Sequence, residues 1–439
     1  MTTQMQRRQF LSTTATAFGA LTLSGCMTRG ADLTDAGYGP LVHDPNGLLD
    51  LPEGFSYRLL SSLGDAMSDG GTVPNKADGM GCLPLPGGEI ALVRNHELKQ
   101  ADEPGGAIAD GYDRIAGGAV LPGGTTTLVL DAATLEKKRE YRSLAGTIRN
   151  CSGGVTPWGS WLTCEEHVTK ADDIGPEKLG RDHGWVFEIP ADAEGQVDPV
   201  PLKAMGRFNH EAACVDPETG IVYLTEDRDD SVLYRFIPKV CGKLAEGGRL
   251  EAMVIDAMPD TRNHDAPLMP VGKSYPVRWI ALDDVEAPED DLRERAAAQG
   301  ASIIARGEGI HMGPDELYVC STSGGAAKYG QVFKLVPGRG AGPDRFELFF
   351  ESENAAQFNY GDNLTVGPNG HLIVCEDQYT PIVDNRLIGI TPAGEPYAFG
   401  RLRMQTELAG GCFSPDGKWF FVNAYAPTRT IAITGPWKV

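Results

Sequence analysis

One short pattern recurs six times along this chain of 439 residues. An apolar strand runs into a turn built from Pro, Gly and Asp, and a second apolar strand leaves it, ending in polar residues. The turns stand at Thr156-Pro157-Trp158-Gly159, Gly313-Pro314-Asp315, Pro368-Asn369-Gly370 and Pro415-Asp416-Gly417, with Asp216-Pro217 between two strands of the third copy. The departing strands read Trp161-Leu162-Thr163-Cys164-Glu165-Glu166, Ile221 to Glu226-Asp227, Leu317 to Ser321-Thr322, Ile373-Val374-Cys375-Glu376-Asp377 and Phe420-Phe421-Val422-Asn423. A weaker first copy runs from Asp78 through Pro86-Gly87-Gly88 to Arg94-Asn95-His96-Glu97. One such hairpin cannot bury both its faces alone, whereas six arranged radially can. The pattern therefore predicts an all-β fold, a six-bladed β-propeller with helical and loop insertions on the outside. The largest insertion spans 254–298, and the Ala-rich, acidic spacing of 281–299 predicts an external helix. Two β-sandwich domains would need a linker-like stretch in mid-chain, and none is present.

The N-terminus is an address. Arg7-Arg8-Gln9-Phe10-Leu11 leads into an apolar run ending Leu23-Ser24-Gly25-Cys26. The run is too short to span a bilayer, so it reads as a cleaved twin-arginine signal, with Cys26 as a lipidated first residue. The expected organisation is a signal over 1–26, a lead-in over 27–74 and the propeller over 75–439. The expected location is the periplasm or cell envelope, with the lipid on Cys26 as a membrane anchor.

Acidic residues outnumber basic ones 60 to 39, a net charge of −21. Such a surface repels a phosphate backbone and excludes nucleic acid as a partner. A monomer is expected. Eight cysteines remain beyond Cys26, yet Cys164, Cys320 and Cys375 sit inside apolar strands and read as small buried hydrophobes rather than disulfide partners. Cys151, in a Gly-rich stretch, stands apart.

In a propeller, the first strand of each hairpin starts at the channel and the second returns to it. Cys151, Glu211, Glu308 and Asn363 on first strands, and Glu97, Glu165, Glu226, Asp227, Glu376 and Asp377 on second strands, are therefore expected at one end of one channel. So many carboxylates repel one another unless a cation neutralises them. Carboxylate and Asn oxygens suit Ca²⁺ or Mg²⁺, and carboxylate also suits Fe³⁺; one thiolate among them suits iron or zinc rather than calcium. His96 and His210 each alternate away from the neighbouring Glu and are expected to pack behind the site. No nucleophile elbow, P-loop or dinucleotide fingerprint is present, and the loop Gly338-Arg339-Gly340-Ala341-Gly342 reads as a connection.

Several stretches resemble the PhoX-type alkaline phosphatases. They are Asn150-Cys151-Ser152-Gly153-Gly154-Val155-Thr156-Pro157-Trp158-Gly159, Leu162-Thr163-Cys164-Glu165-Glu166, Phe208-Asn209-His210-Glu211-Ala212-Ala213, Thr225-Glu226-Asp227-Arg228, Gly361-Asp362-Asn363-Leu364, Cys375-Glu376-Asp377 and Ile433-Thr434-Gly435-Pro436-Trp437. The resemblance implies a propeller that holds Fe³⁺ and Ca²⁺ in its channel and hydrolyses small phosphorylated substrates, the phosphomonoesters. It implies Cys151, Glu211 and Glu308 as iron ligands and Arg306 as the catalytic, phosphate-binding cation. Calcium then falls to the second-strand carboxylates and Asn363. This chain is shorter than the better-known members and carries Ser152 where Ala is common. Two other readings share an acidic channel: a calcium-dependent propeller lactonase or esterase, and a non-catalytic, metal-stabilised binding propeller of the envelope. The thiolate and the close spacing of Arg306 and Glu308 weigh against the lactonase.

Replacing Arg7 and Arg8 together with Lys is expected to strand the protein in the cytoplasm. Cell fractionation checks this, and undiminished delivery to the envelope overturns it.

Overall fold

The computed structural model describes residues 33–437, except 35, 116–117, 172–178, 257 and 378–383. The leader and Cys26 lie outside the described residues. Each of the six hairpins forms: Ala77–Leu85 with Glu89–His96, Asn150–Val155 with Ser160–Glu165, His210–Val215 with Val222–Glu226, Gly307–Met312 with Leu317–Ser321, Gly361–Val366 with Leu372–Glu376, and Leu408–Phe413 with Phe420–Ala424. Their first strands pack side by side in chain order, and the sixth returns to the first, which closes a ring. The fold is an all-β propeller.

Further strands extend the hairpins outward, but the sheets do not separate into six equal units. Ser274–Ala281 pairs with Gly248–Val254 on one edge and Asp344–Glu351 on the other, so the third and fourth hairpins share one nine-stranded sheet. The segment 27–74, expected as a lead-in, belongs to the propeller where it is described. Ser56–Ser62 pairs with Arg429–Thr434 beside the sixth hairpin, and Leu49–Pro52 pairs with Pro396–Leu402 beside the fifth. A short strand near the N-terminus thus clasps the last strand of the chain.

Apolar clusters fill the spaces between successive hairpins. Trp161, Trp185 and Phe187 pack with Leu83 and Val93 between the first and second. Trp419 and Phe421 pack with Met80 and Leu92 between the sixth and first, across the closure. Burial of each such ring stabilises the fold by about 1.5–3 kcal/mol. Cys164, Cys320 and Cys375 are fully buried in these clusters, and all eight described cysteines are free thiols. The expected helix over 281–299 shrinks to Leu292–Ala298, because Asp284, Ala287 and Asp290 take left-handed backbone angles that no helix accommodates. Leu292 and Ala296 then bury against the cluster of the third hairpin. No described helix is long and apolar enough to cross a membrane.

Every hairpin loses register at the same place, two residues wide. The breaks fall at 78–79, 151–152, 211–212, 308–309, 362–363 and 410–411. A bulge re-aims the side chain it carries. Here it leaves Asp78, Cys151, Glu211, Glu308 and Asp362 at equivalent points on the channel wall. The second bulge residue is often small, because neighbouring first strands approach closely there. A Cβ built on Gly309 would lie 2.7 Å from both the carbonyl oxygen of Asp362 and the amide of Leu364.

Gly309→Val is therefore expected to force adjacent first strands apart and to cost about 3 kcal/mol, at the upper end for overpacking. Chemical denaturation checks this, and a midpoint equal to that of the unmodified protein overturns it.

Candidate metal centre

The channel wall opens into a cavity of about 590 Å³. Two tiers of side chains line it, each set by the repeat. The bulge residues Asp78, Cys151, Glu211, Glu308 and Asp362 form the floor, and Gly410 takes the sixth place. In five of the six hairpins the residue just past the second strand forms the tier above, giving Glu97, Glu166, Asp227 and Asp377, with Tyr425 from the sixth hairpin. The backbone N–H of each of these donates to a carbonyl just ahead of the bulge, as Glu166 does to Arg149 and Asp377 to Tyr360. Glu407 enters from the loop before the sixth hairpin. Nine carboxylates face three cationic side chains, Lys99, Arg149 and Arg306.

Three groups of donors converge: Cys151 with Glu166 and Glu211, Glu211 with Glu308 and Asp362, and Asp362 with Asp377 and Glu407. Within each group, the ligand atoms lie within 4.8 Å of one another. Shared Glu211 and Asp362 join the three into one continuous run. Glu211 is fully buried, and neither of its carboxylate oxygens has a hydrogen-bond partner; nor has Oδ1 of Asp78. Burial first, then the charges of Asp362, Glu166 and Asp78, push the Glu211 carboxyl far above the usual carboxylate range. Burial and Asp377 push Asp362 up to about 7. Burial pushes Glu166 up to about 8, opposed by Arg149. The Cys151 thiol is likewise driven up by burial and by Asp78. Orphaned buried oxygens in a cluster of like charge fit a site for cations, which alone would let these groups ionise together. Oxygen donors dominate, and the single sulfur lies at one end of the run.

Two arginines reach into the cavity. Arg306 forks onto Asp227, Nε to Oδ1 at 2.7 Å and Nη2 to Oδ2 at 3.0 Å, and reaches Glu308 at 2.8 Å. Arg149 donates to Glu97 and to Glu166, each at 2.6 Å, and the Tyr425 hydroxyl donates to the other oxygen of Glu97. Both arginines hold left-handed backbone angles, φ 47° and 48°, a strain of about 1–3 kcal/mol each that surrounding contacts must sustain.

Cys151, Glu211, Glu308, Glu97, Asp227, Asp377 and Arg306 meet in this cavity as expected from the sequence. Glu165, Glu226, Glu376 and Asn363 do not line it. Consecutive strand residues point to opposite faces, so Glu165 and Glu166, Glu226 and Asp227, or Glu376 and Asp377 cannot both face the channel. Glu165 instead holds His183 at 2.7 Å and accepts from the amides of Ile148, Gly184 and Trp185. Glu226 accepts from the Tyr234 hydroxyl at 2.7 Å, and Glu376 forks with Arg386 at 2.6 Å. These three tie second strands to outer structure. Asn363, the second bulge residue, lies beneath the floor and links Asp362 to the amide of Gly410. His96 and His210 pack behind the wall, His210 stacked on Phe208. Sequence reasoning missed Asp78, Glu166, Asp362, Glu407, Arg149 and Tyr425. Aligning the hairpins on Glu211 marks Asp78 and Asp362, whereas Glu407 carries no pattern of its own.

The family model described as alkaline phosphatase PhoX matches residues 36–131 and 123–428. No curated protein matches significantly. Among solved structures, Pseudomonas fluorescens PhoX in complex with vanadate, a transition state analogue, is 20% identical. That match has a TM-score of 0.68 and covers 89% of this chain and 96% of that one. XC5397 from Xanthomonas campestris, a gluconolactonase, is 15% identical at a TM-score of 0.42, covering 91% and 99%.

Carboxyls raised in the folded state bind more protons there than in the unfolded chain. Their stabilising protons are fully present below about pH 4, the unfolded carboxyl value, and leave as pH rises through the folded values, about 7 for Asp362 and about 8 for Glu166. Chelated protein is thus expected to melt at a lower temperature at pH 8.5 than at pH 5, and added calcium should restore much of the loss. Glu211→Gln should stabilise the chelated protein at pH 8.5 by about 1–3 kcal/mol and shrink the loss that chelation causes. Differential scanning calorimetry checks both, and a melting temperature indifferent to chelator at either pH overturns the site.

Proposed function

The chain belongs to the alkaline phosphatase PhoX family, metal-dependent phosphoric monoester hydrolases, and on that premise we propose that its acidic channel hydrolyses small phosphomonoesters at an iron and calcium centre. Fully buried Glu211, with two unpartnered oxygens where two of the three donor groups meet, carries this reading. Cys151, Glu166 and Glu211 would hold iron, since a thiolate among carboxylates suits a harder transition metal and not calcium. The oxygen-only groups, Asp362 with Asp377 and Glu407, would hold calcium. Glu308, between them, fits either. When bound, such cations supply positive charge to the phosphoryl oxygens and make an attacking water more acidic.

The chain's own groups would then do the positioning. Fixed carboxylates on a rigid β-scaffold keep the donors preorganised. Arg306, braced through Nε and Nη2 by Asp227 and Glu308, leaves its Nη1 for a phosphate oxygen. Net charge of −21 disfavours an incoming dianion, so attraction must come from within the cavity. We read the six hairpins and the apolar clusters between them as six blades, the third and fourth fused at their outer edges. Export by the twin-arginine route to the envelope, with a lipid on Cys26, rests on the leader sequence, and that route carries proteins already folded.

Purified protein should be coloured, because a thiolate on ferric iron gives a charge-transfer band. Cys151→Ser should fold normally but lose colour, iron and p-nitrophenyl phosphate turnover together. Cys164→Ser, in a fully buried strand, should keep its colour and lose about 1–3 kcal/mol of stability. Absorbance, metal analysis and turnover check this. Iron and turnover retained in Cys151→Ser overturn the assignment.

A further inference from the structure

Arg149 and Arg306 occupy the same position in two repeats. Each stands two residues before a floor residue, Cys151 and Glu308 respectively. Each adopts the same left-handed backbone, and its carbonyl accepts the N–H of the residue past its own second strand, Glu166 or Thr322. Each guanidinium also bridges its own hairpin to the preceding one. Arg149 joins Glu166 of the second to Glu97 of the first, and Arg306 joins Glu308 of the fourth to Asp227 of the third. Glu97 and Asp227 are themselves repeat equivalents.

The remaining places in this ring carry no cation into the cavity. Asn209 stands there in the third hairpin, between the two arginines, and donates to Glu166 and to the Asp227 carbonyl. Lys76 turns aside to Asp102, Tyr360 stands in the fifth, and in the sixth Glu407 supplies the equivalent carbonyl, which accepts the N–H of Tyr425. Both forks remain 26–29% exposed, whereas Cys151, Glu211 and Glu308 beneath them are at most 8% exposed. The cavity is therefore polarised: the two guanidiniums flank the Glu211 side near the mouth, and Glu407 and Asp377 crowd the other.

Resting on the phosphatase reading, we infer that Arg149 is a second phosphate-binding residue, paired with Arg306, and that the pair selects a dianionic phosphoryl group over a diester. A monoester phosphate offers three free oxygens and two charges, enough to accept from the Nη1 of each guanidinium, whose Nε and Nη2 are held by carboxylates. A diester offers two oxygens and one charge, and its second alcohol must displace one fork.

The test uses metal-loaded protein. Inorganic phosphate binding is measured by calorimetry, and turnover is measured on p-nitrophenyl phosphate and bis-p-nitrophenyl phosphate. Arg149→Gln should weaken phosphate binding and raise the monoester KM about tenfold to a hundredfold, the range for a hydrogen bond to a charged group. Diester kcat/KM should fall by less, so the monoester-to-diester ratio falls. Arg149→Lys keeps the charge and loses the fork, and should fall between; it also serves if Arg149→Gln folds poorly. Metal content measured beside each variant separates anion binding from ligand support. Unchanged phosphate affinity and an unchanged ratio in metal-replete variants overturn the inference. A wild type that turns over no monoester overturns the phosphatase reading instead, and its phosphate affinity against that of Arg149→Gln still decides the role of Arg149.

Discussion

Like charges crowded at low exposure set the terms for the whole molecule. Two carboxylates about 4 Å apart, at an effective dielectric near 20, repel by about 4 kcal/mol. Three linked donor groups within 4.8 Å hold several such pairs, while a folded domain has only about 5–15 kcal/mol of net stability. The cavity's arginines offset part of this, at Glu97, Glu166, Asp227 and Glu308. No lysine or arginine among the described residues pairs with Glu211 to offset it there. Protonation or a bound cation must, and the choice between them couples stability to pH and to metal supply.

A scaffold that concentrates charge in this way has to resist being pushed apart. Resistance comes from behind the wall. Glu165 with His183, Glu226 with Tyr234 and Glu376 with Arg386 fasten the channel ends of three second strands to the strands or loops outside them. His183 lies between Glu165 and Asp113, which hold its imidazole protonated up to about pH 9. Close glycine-mediated packing of the first strands adds a second restraint, since a ring so tight has no slack through which one hairpin could withdraw.

Much of this was legible in the amino-acid pattern. Turns such as Gly313-Pro314-Asp315 between apolar runs located all six hairpins, because turn chemistry is local. Parity at the strand ends was not legible. Leu162 to Glu166 is buried on both faces, so no polar alternation distinguishes Glu165 from Glu166. The bulges add a residue that apolar patterning does not register, which is why Asn363 was taken for its neighbour Asp362. Pairing of Ser56–Ser62 with Arg429–Thr434 spans almost the full chain, beyond any local signal. The helix over 281–299 was overextended because composition does not disclose left-handed residues at Asp284 and Asp290.

That long-range clasp governs when the protein can exist at all. Contacts of such sequence separation form late and slowly, after the entropy of closing a very long loop has been overcome. Five hairpins emerging from a ribosome would present floor residues without an enclosing ring, and Glu407 and Tyr425 would still be missing. The ring closes only when Arg429–Thr434 is present to pair with Ser56–Ser62, so removal of the sixth hairpin is expected to open the whole cavity rather than one side of it.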